Sequence, residues 1–310
     1  MEKTEKKKKS NRLLRVVSGL VLFPGFAAIM IFSNNLIFDI FVGIIGIMCL
    51  YEFYTCFSKG EKAKPNKILG YLMMVVFTGA AIFINAYSQD LLNIGAFARI
   101  GLVGAIISAI MLATFIILTV LLVLHNGKKN IKDYMVTFMG IFYIGVSLFL
   151  ATELRAYTKI DINTEFSNPR LLFWYIFIAA WGTDMFAYFV GCRIGKHKFT
   201  EISPKKSIEG LVGGVLGTLL IGFLYTVIVM KATEYTIPSI IGLIVLFVML
   251  SLIGQIGDIF ASSIKRYCDV KDYSNLIPGH GGMLDRIDSV LFIIPVTYII
   301  ATILQLIMMQ

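Results

Sequence analysis

The chain has 310 residues, of which 57% are hydrophobic and only 15% are charged, and its formal net charge is +9. Its mean hydropathy of +0.81 excludes a sizeable soluble domain and is typical of a protein that crosses a membrane many times. Apolar runs of about 20 residues, which suffice to cross a hydrocarbon core of about 30 Å, recur from Val16 to the C-terminus. The excess of basic residues therefore belongs to the connecting loops.

The apolar segments predict an all-α polytopic membrane protein with about nine transmembrane helices. The predicted spans are 16–33, 35–57, 68–87, 100–124, 133–153, 170–195, 210–230, 237–264 and 287–309. Residues 1–15 form a basic segment that we interpret as the anchor of the first span; its lysines fit either plain topology or contact with anionic lipid headgroups. We divide the rest into 16–169, which holds spans one to five, and 170–310, which holds spans six to nine.

Lysine and arginine predict the orientation, because they concentrate at the cytoplasmic ends of spans. If the N-terminus is cytoplasmic, the inner segments hold 23 of the 28 Lys and Arg residues. The C-terminus then lies outside.

Residues in the first half offer little recognisable chemistry. Four cysteines without C-x-x-C spacing and three scattered histidines argue against a disulfide framework or a zinc site. Asp39, Glu52 and Glu153 are acids in or beside apolar spans, where charge is costly, so each is a candidate for a functional role. A position near the membrane interface is the simpler explanation for each of them.

Span six carries an acid at its middle, Asp184. Tyr188 and Gly191 follow on the same helical face. We expect Asp184 to face a cation, a donor network or water inside the bundle. Gly191 and Gly195 have the small-xxx-small spacing that favours close helix packing.

The basic loop after span six is a candidate phosphate or nucleotide site, because cations and free backbone N–H groups meet at a helix start. Ordinary membrane topology would explain the same charges equally well. The loop lacks the G-x-x-x-x-G-K-[ST] spacing of a P-loop. The candidate contact residues are Ser203, Lys205, Lys206 and Ser207, with Glu209 as a supporting residue.

The stretch 255–288 is the densest polar segment and contains five aspartates. Asp258, Ser262 and Lys265 fall at i, i+4 and i+7, so they share one face at the end of span eight. A Pro-Gly-His-Gly-Gly turn at 278–282 then gives a backbone that can approach a ligand closely. Asp285 and Asp288 follow at i and i+3 where span nine begins.

Carboxylates from two helix ends would repel one another without a positive charge between them. An oxygen-only ligand set favours a hard divalent cation such as Mg²⁺, which also binds substrate phosphates. The surrounding Lys265, Arg266, Lys271 and Arg286 favour phosphate chemistry over a cation-transport pathway, which does not need a belt of cations.

The same residues resemble a known family. The run SSIKR at 262–266, KD at 271–272 and LIPGHGGMLDRID at 276–288 closely resembles the signature of the phosphatidate cytidylyltransferases, also called CDP-diacylglycerol synthases. The W-x-x-D-x-x-A-Y run at 181–188 and ISPKKSIEG at 202–210 are also similar to that family. The resemblance is specific over about the C-terminal half of the chain.

The resemblance implies transfer of a cytidylyl group from CTP to phosphatidic acid, giving CDP-diacylglycerol and pyrophosphate, with Mg²⁺ required. A second metal or a monovalent cation is left open. It implies CTP, phosphatidic acid and membrane lipid as partners and no nucleic acid. We expect an integral protein of a bacterial cell (plasma) membrane with its active site on the cytoplasmic side; glycine-rich helix faces fit a homodimer or packing within one chain.

By this resemblance the metal ligands are Asp258, Asp285 and Asp288, and Lys265 and Arg286 are catalytic with them. The expected phosphate and substrate contacts are Ser203, Lys205, Lys206 and Ser207 of the basic loop, together with Ser262, Arg266, Lys271, His280, Gly281 and Gly282. His280 is a phosphate donor or simply a turn residue. Asp184, Tyr188, Glu209 and Asp272 are expected to support the site.

Two other classes fit a polar site in a membrane protein. The CDP-alcohol phosphotransferases carry a D-x-x-D-G-x-x-A-R run, which is missing from this sequence. A cation-coupled transporter would favour paired inverted repeats, and the sequence has no matching halves.

Overall fold

The computed structural model describes residues 19–20, 23–87, 96–125, 130–156, 173–200, 203, 206–228, 237–277, 279 and 281–308. Within these residues the chain is helical and has no strand, only two isolated bridges, Lys198 with Ser207 and Ile277 with Gly281. The helices are α1 (Phe23–Phe32), α2 (Asn35–Lys59), α3 (Lys67–Ala86), α4 (Ala96–Leu124), α5 (Ile131–Ala156), α6 (Trp174–Ile194), α7 (Ile208–Ile228), α8 (Ile237–Tyr267) and α9 (Leu284–Met308).

The predicted all-α membrane architecture is confirmed. Helices α2 to α9 are long and apolar enough to cross a membrane, and they match the second to ninth predicted spans. The first predicted span, 16–33, lies partly outside the described residues, and α1 covers ten residues of it. Which side each terminus faces stays a prediction.

Local sequence explains where several helices begin. The Asn34 side chain caps α2 by accepting a hydrogen bond from the Ile37 N–H at 2.8 Å. Asn130 caps α5 in the same way by accepting from Lys132 at 3.0 Å. Asparagine is favoured at this position because its oxygen satisfies an N–H group that has no partner inside the helix.

The chain groups into two compact units by its internal contacts. The first unit comprises Met1–Ala86, Ile106–Val146 and Tyr267–Ile287, and the second comprises Tyr87–Ala105, Ser147–Arg266 and Asp288–Gln310.

In the first unit, α2 packs closely against glycines of α3 and α5. A side chain at Gly70 or Gly140 would collide with the ring of Tyr54. The Tyr54 hydroxyl donates to the Thr137 carbonyl at 2.9 Å, so this buried ring also satisfies its polar end. Backbone N–H groups of the α2–α3 loop reach α5, where Asn66 donates to the Thr137 hydroxyl at 2.8 Å.

In the second unit, α6 and α7 approach through glycines. The Cβ of an alanine at Gly210 would lie 3.2 Å from the Cα of Gly191, which confirms the close packing predicted for Gly191. The Thr183 and Thr218 hydroxyls hydrogen-bond across the same interface at 2.9 Å. A π-helical segment, Ile178–Gly182, precedes this contact, and such segments occur frequently at functional sites.

Candidate functional site

A cavity of about 250 Å³ in the second unit contains several predicted site residues. Asp184 and Tyr188 of α6 line it together with Lys206, Ser207 and residues of α7 and α8. Asp184 is exposed and lines this cavity, and its expected role as a supporting residue stays a prediction. Phe199 and Leu211 add apolar wall, so the cavity is amphipathic.

Lys206 joins the basic loop to α8. Its ammonium group forms an ion pair with Oδ2 of Asp258. It also donates to Oε1 of Gln255 at 2.8 Å. Both members of the ion pair are only partly exposed, at 21% and 23% of their side chains. The loop cation and the α8 carboxylate are thus held together in the cavity wall.

Gln255 is a site residue that the sequence did not single out. Only 3% of it is exposed, and its Nε2 has no hydrogen-bond partner among the described residues. Since the Lys206 bond assigns Oε1, the amide group presents a buried donor that lacks an acceptor. A phosphate oxygen or a water would satisfy this donor.

Acidic side chains of the second unit cluster around Asp288. Asp288 is only 6% exposed, and Asp258 and Asp184 both act on it electrostatically. The Lys265 ammonium acts on it with the opposite sign. Its Oδ1 accepts from the Ser289 N–H at 2.7 Å. Lys206, which pairs with Asp258, and Lys265, which acts on Asp288, supply positive charge to this group of carboxylates.

The described residues contain no group of three or more His, Cys, Asp and Glu side chains arranged to hold a metal ion. The oxygen donors nevertheless fit Mg²⁺ chemically, because Mg²⁺ typically takes one or two carboxylates and completes its shell with waters and phosphates. Asp258 and Asp288, which both belong to the second unit, would supply two such carboxylates. Asp285 lies in the first turn of α9, where its Oδ2 accepts from the Tyr273 N–H at 2.9 Å.

The loop between α6 and α7 is built around Glu209. Its carboxylate accepts from the Lys196 N–H at 3.1 Å and pairs with Nδ1 of His197 at 2.6 Å. Ser207 begins α7 by accepting from the Gly210 N–H at 3.0 Å, and the Ser203 carbonyl accepts from Lys206 N–H at 2.9 Å. Glu209 therefore holds the loop together, and its expected supporting role in the site stays a prediction, while Lys205 lies outside the described residues.

In the first unit the glycine-rich segment forms a tight turn. Ile277 and Gly281 exchange two backbone hydrogen bonds, at 2.8 and 3.1 Å. Gly279 and Gly281 have φ of 79° and 86°, a conformation that glycine adopts without steric cost. His280 lies outside the described residues, so its proposed role stays a prediction.

Glu52 of α2 is the second residue that sequence reasoning underestimated. It is completely buried, and it accepts from the Ser274 hydroxyl at 2.5 Å and from the N–H groups of Met283 and Leu284 at 2.9 and 2.7 Å. Its expected position near the membrane interface was an incomplete explanation, because the carboxylate holds the start of α9. The available signal was an acid inside an apolar span.

A second cavity, of about 480 Å³, adjoins these residues within the first unit. Glu52, Lys59, Asp272, Ser274 and Asn275 are among the residues that line it. Of these, only Asp272 was predicted as a supporting residue.

The remaining candidates are cations and a hydroxyl near these helix ends. Ser262 and Lys265 are half-buried on α8, and Arg266 in its last turn is exposed. Lys271 and Arg286 are exposed in the first unit.

Comparison with known proteins decides the family. A family model described as the cytidylyltransferase family matches residues 13–304. The chain belongs to the cytidylyltransferase family. This confirms the resemblance seen in the signature residues, and it extends the match to nearly the whole chain.

Three bacterial relatives are each named phosphatidate cytidylyltransferase. The Bacillus subtilis protein is 35% identical over 60% of this chain and 64% of its own length. The Thermotoga maritima protein is 40% identical over 42% of this chain and 48% of its own length. These alignments thus span about half to two thirds of those relatives. The Haemophilus influenzae protein is 30% identical over 91% of this chain and 95% of its own length.

Proposed function

We propose that this cytidylyltransferase family member transfers a cytidylyl group from CTP to phosphatidic acid, giving CDP-diacylglycerol and pyrophosphate. The observation that carries the proposal is the family match over 13–304, which includes every candidate site residue. The acceptor, phosphatidate, is inferred from the names of the relatives.

The amphipathic cavity of the second unit supports this chemistry. Phosphatidic acid has an anionic headgroup beside an apolar body, and Lys206 lies in the same wall as Phe199 and Leu211. We propose that phosphate oxygens there contact Lys206 and the Gln255 amide, whose Nε2 has no partner among the described residues. Lys265, Arg266, Lys271 and Arg286 are the further proposed phosphate contacts.

The lipid phosphate monoester is already a nucleophile near neutral pH, so the protein needs to position it and to neutralise charge more than to remove a proton. In the proposed reaction a lipid phosphate oxygen forms a bond to the α-phosphorus of CTP, and the bond from that phosphorus to pyrophosphate breaks. The lysines and arginines stabilise negative charge on the departing pyrophosphate.

We propose Mg²⁺ as the cofactor, held by Asp258, Asp285 and Asp288; when bound, it would neutralise charge on the phosphate oxygens. A second metal or a monovalent cation and a homodimer are further hypotheses of the same kind.

We further propose that the protein lies in a bacterial cell membrane with residues 170–310 carrying the chemistry on the cytoplasmic side. The excess of Lys and Arg in the inner segments supports this orientation. A cysteine at Asn275, an exposed loop position, should react with an impermeant thiol reagent only in inside-out vesicles. Labelling from the outside would reverse the orientation.

A direct assay tests the activity. Purified protein in detergent, given CTP, phosphatidic acid and Mg²⁺, should release pyrophosphate, and Asp285→Asn should abolish the release. The matched control is Asp269→Asn, an exposed aspartate at φ 57°, a conformation that asparagine tolerates. Absence of release, or release that survives Asp285→Asn, would contradict the proposed mechanism.

A further inference from the structure

Glu52 is far in sequence from the loop before α9 and from the start of that helix, yet its carboxylate accepts one hydrogen bond from the loop and two from the helix start. The donors lie 222 to 232 residues after Glu52 in the chain. Every one of these residues belongs to the first unit. The contact is therefore a tertiary feature of that unit, which no local sequence pattern specifies.

The carboxylate acts as a helix cap supplied by another helix. The first N–H groups of a helix have no partner inside it, and a negative charge at that end is favourable. α9 begins at Leu284, and Glu52 accepts from both the Leu284 N–H and the preceding Met283 N–H. Its third donor, the Ser274 hydroxyl, lies in the loop before the glycine turn. One buried side chain thus joins the loop to the helix start.

Gly282 links this cap to Asp285. A Cβ at Gly282 would lie 2.9 Å from Oε2 of Glu52 and 2.8 Å from Oδ2 of Asp285. The two carboxylates therefore flank one glycine, and Asp285 is oriented in turn by the Tyr273 N–H at 2.9 Å. A shift of the Glu52 cap moves the turn that precedes Asp285 and the first helical turn that carries it.

A carboxylate suits this position better than an amide. Glu52 meets donors on both oxygens: the Ser274 hydroxyl and Met283 N–H on Oε1, and Leu284 N–H on Oε2. A glutamine has one acceptor oxygen and one donor amide group, so one backbone N–H would face another donor. The change from Glu to Gln preserves the size of the side chain and removes one hydrogen bond.

We propose that Glu52 is a positioning residue that fixes the Gly281–Gly282 turn and the first turn of α9, and so sets the place of the Asp285 carboxylate. The consequence for catalysis rests on the proposed function, in which Asp285 holds the metal. The structural consequence does not, because it concerns only the helix start.

Hydrogen exchange measured without metal or substrate tests the structural part. In Glu52→Gln, the amides of 281–288 should exchange about tenfold faster than in the wild type, as expected for one lost hydrogen bond. The matched control is Asp39→Asn, also a buried acid on α2, which hydrogen-bonds Asn85 at 2.9 Å, far along the helix from Glu52. It should leave exchange in 281–288 unchanged. Wild-type exchange in Glu52→Gln, or equal acceleration in Asp39→Asn, would overturn the proposal.

Magnesium titration tests the consequence for catalysis. Glu52→Gln should need about tenfold more Mg²⁺ for half-maximal rate, while its kcat at saturating Mg²⁺ largely recovers. A general loss of folded protein would instead lower the rate equally at every Mg²⁺ concentration. If the wild type transfers no cytidylyl group, the proposed function fails, whereas the exchange result still decides whether Glu52 orders the helix start.

A milder variant serves if Glu52→Gln does not fold. Ser274→Ala removes one donor and leaves the carboxylate with both backbone N–H groups. It should accelerate exchange in 281–288 by about two- to fivefold. Exchange equal to that of the wild type would contradict the proposed network.

Discussion

Two loops of this protein are each organised by a glutamate, one in each unit. Glu209 holds the loop between α6 and α7 through partners only 12 and 13 residues away. Glu52 holds the loop before α9 through partners more than 200 residues away. Glu209 keeps 24% of its side chain exposed, whereas Glu52 is completely buried. Both glutamates accept hydrogen bonds from N–H groups beside a helix. The partners of Glu209 are close in sequence, whereas those of Glu52 are brought to it only by the tertiary structure.

The difference has energetic consequences. Water can replace Glu209 as an acceptor, because its partners lie at the surface. No water can readily reach the donors around Glu52 without opening the unit, and a buried donor without an acceptor is expensive. Glu52 should therefore matter for stability as well as position.

The largest effect is expected for Glu52→Ala, compared with the same truncation at Glu209. Glu52→Ala leaves buried donors without an acceptor and should lower the free energy of unfolding by about 3 kcal/mol or more. Glu209→Ala should produce only a small change, because water takes its place. Thermal unfolding in detergent measures the stability of both variants. Equal destabilisation of the two would contradict the predicted difference between the glutamates.

Lys206→Met tests the role of the loop cation in the cavity of the second unit. It removes the cation that faces Asp258 and the proposed phosphate contact, so kcat/KM should fall about 10- to 100-fold. Lys132→Met, at an exposed position in the first turn of α5, should retain wild-type kcat/KM. Steady-state pyrophosphate release measures both variants, and an equal loss in the two would exclude a specific role for Lys206.

Gly282→Ala tests the close approach of two carboxylates. The added methyl group would meet Glu52 and Asp285 at less than 3.0 Å, which should cost about 1–3 kcal/mol in stability. Gly79→Ala is the matched change, because nothing lies within 4 Å of its Cβ. That variant should be neutral or stabilised by up to about 1 kcal/mol. Denaturant or thermal unfolding measures the stability of both variants. A Gly282→Ala variant as stable as the wild type would contradict the predicted clash and show that the turn adapts.

The smallest effect concerns Lys62, which lies outside the spans and pairs with Asp269 at 3.0 Å. The hydrogen bond and charge of Asp269 raise the pKa of Lys62 above its ordinary value of 10.5. The stability that this pair contributes is therefore fully present below pH 10.5 and is lost as the pH rises through the raised value. From neutral pH upward, the free energies of unfolding of wild type and Asp269→Asn should converge only above that raised value, and convergence near neutral pH would contradict the assignment.

Sequence reasoning succeeded where the physical signal is local. A run of about 20 apolar residues is itself the requirement for crossing a membrane, so the spans after the first were predictable. Asp184 was predictable too, since an acid in mid-span needs a polar space. Glu209 was singled out because it neighbours the basic loop, and its role in the site stays a prediction.

The remaining features depend on which helices meet. The Lys206–Asp258 ion pair and the orphan amide of Gln255 arise where the loop after α6 contacts α8. The Glu52 cap needs α2 beside the start of α9. Neither pairing has a sequence period or spacing, so Lys206, Asp258 and Glu52 could be singled out from the sequence but their partners could not.

The fate of radiolabelled phosphate distinguishes cytidylyl transfer to the lipid from other reactions of CTP. With CTP labelled at the α-phosphorus, the wild type and Asp269→Asn should move label into the lipid fraction in equal amount to the pyrophosphate released, and Asp258→Asn should not. Label that stays in the aqueous fraction, or lipid label obtained from γ-labelled CTP, would contradict cytidylyl transfer.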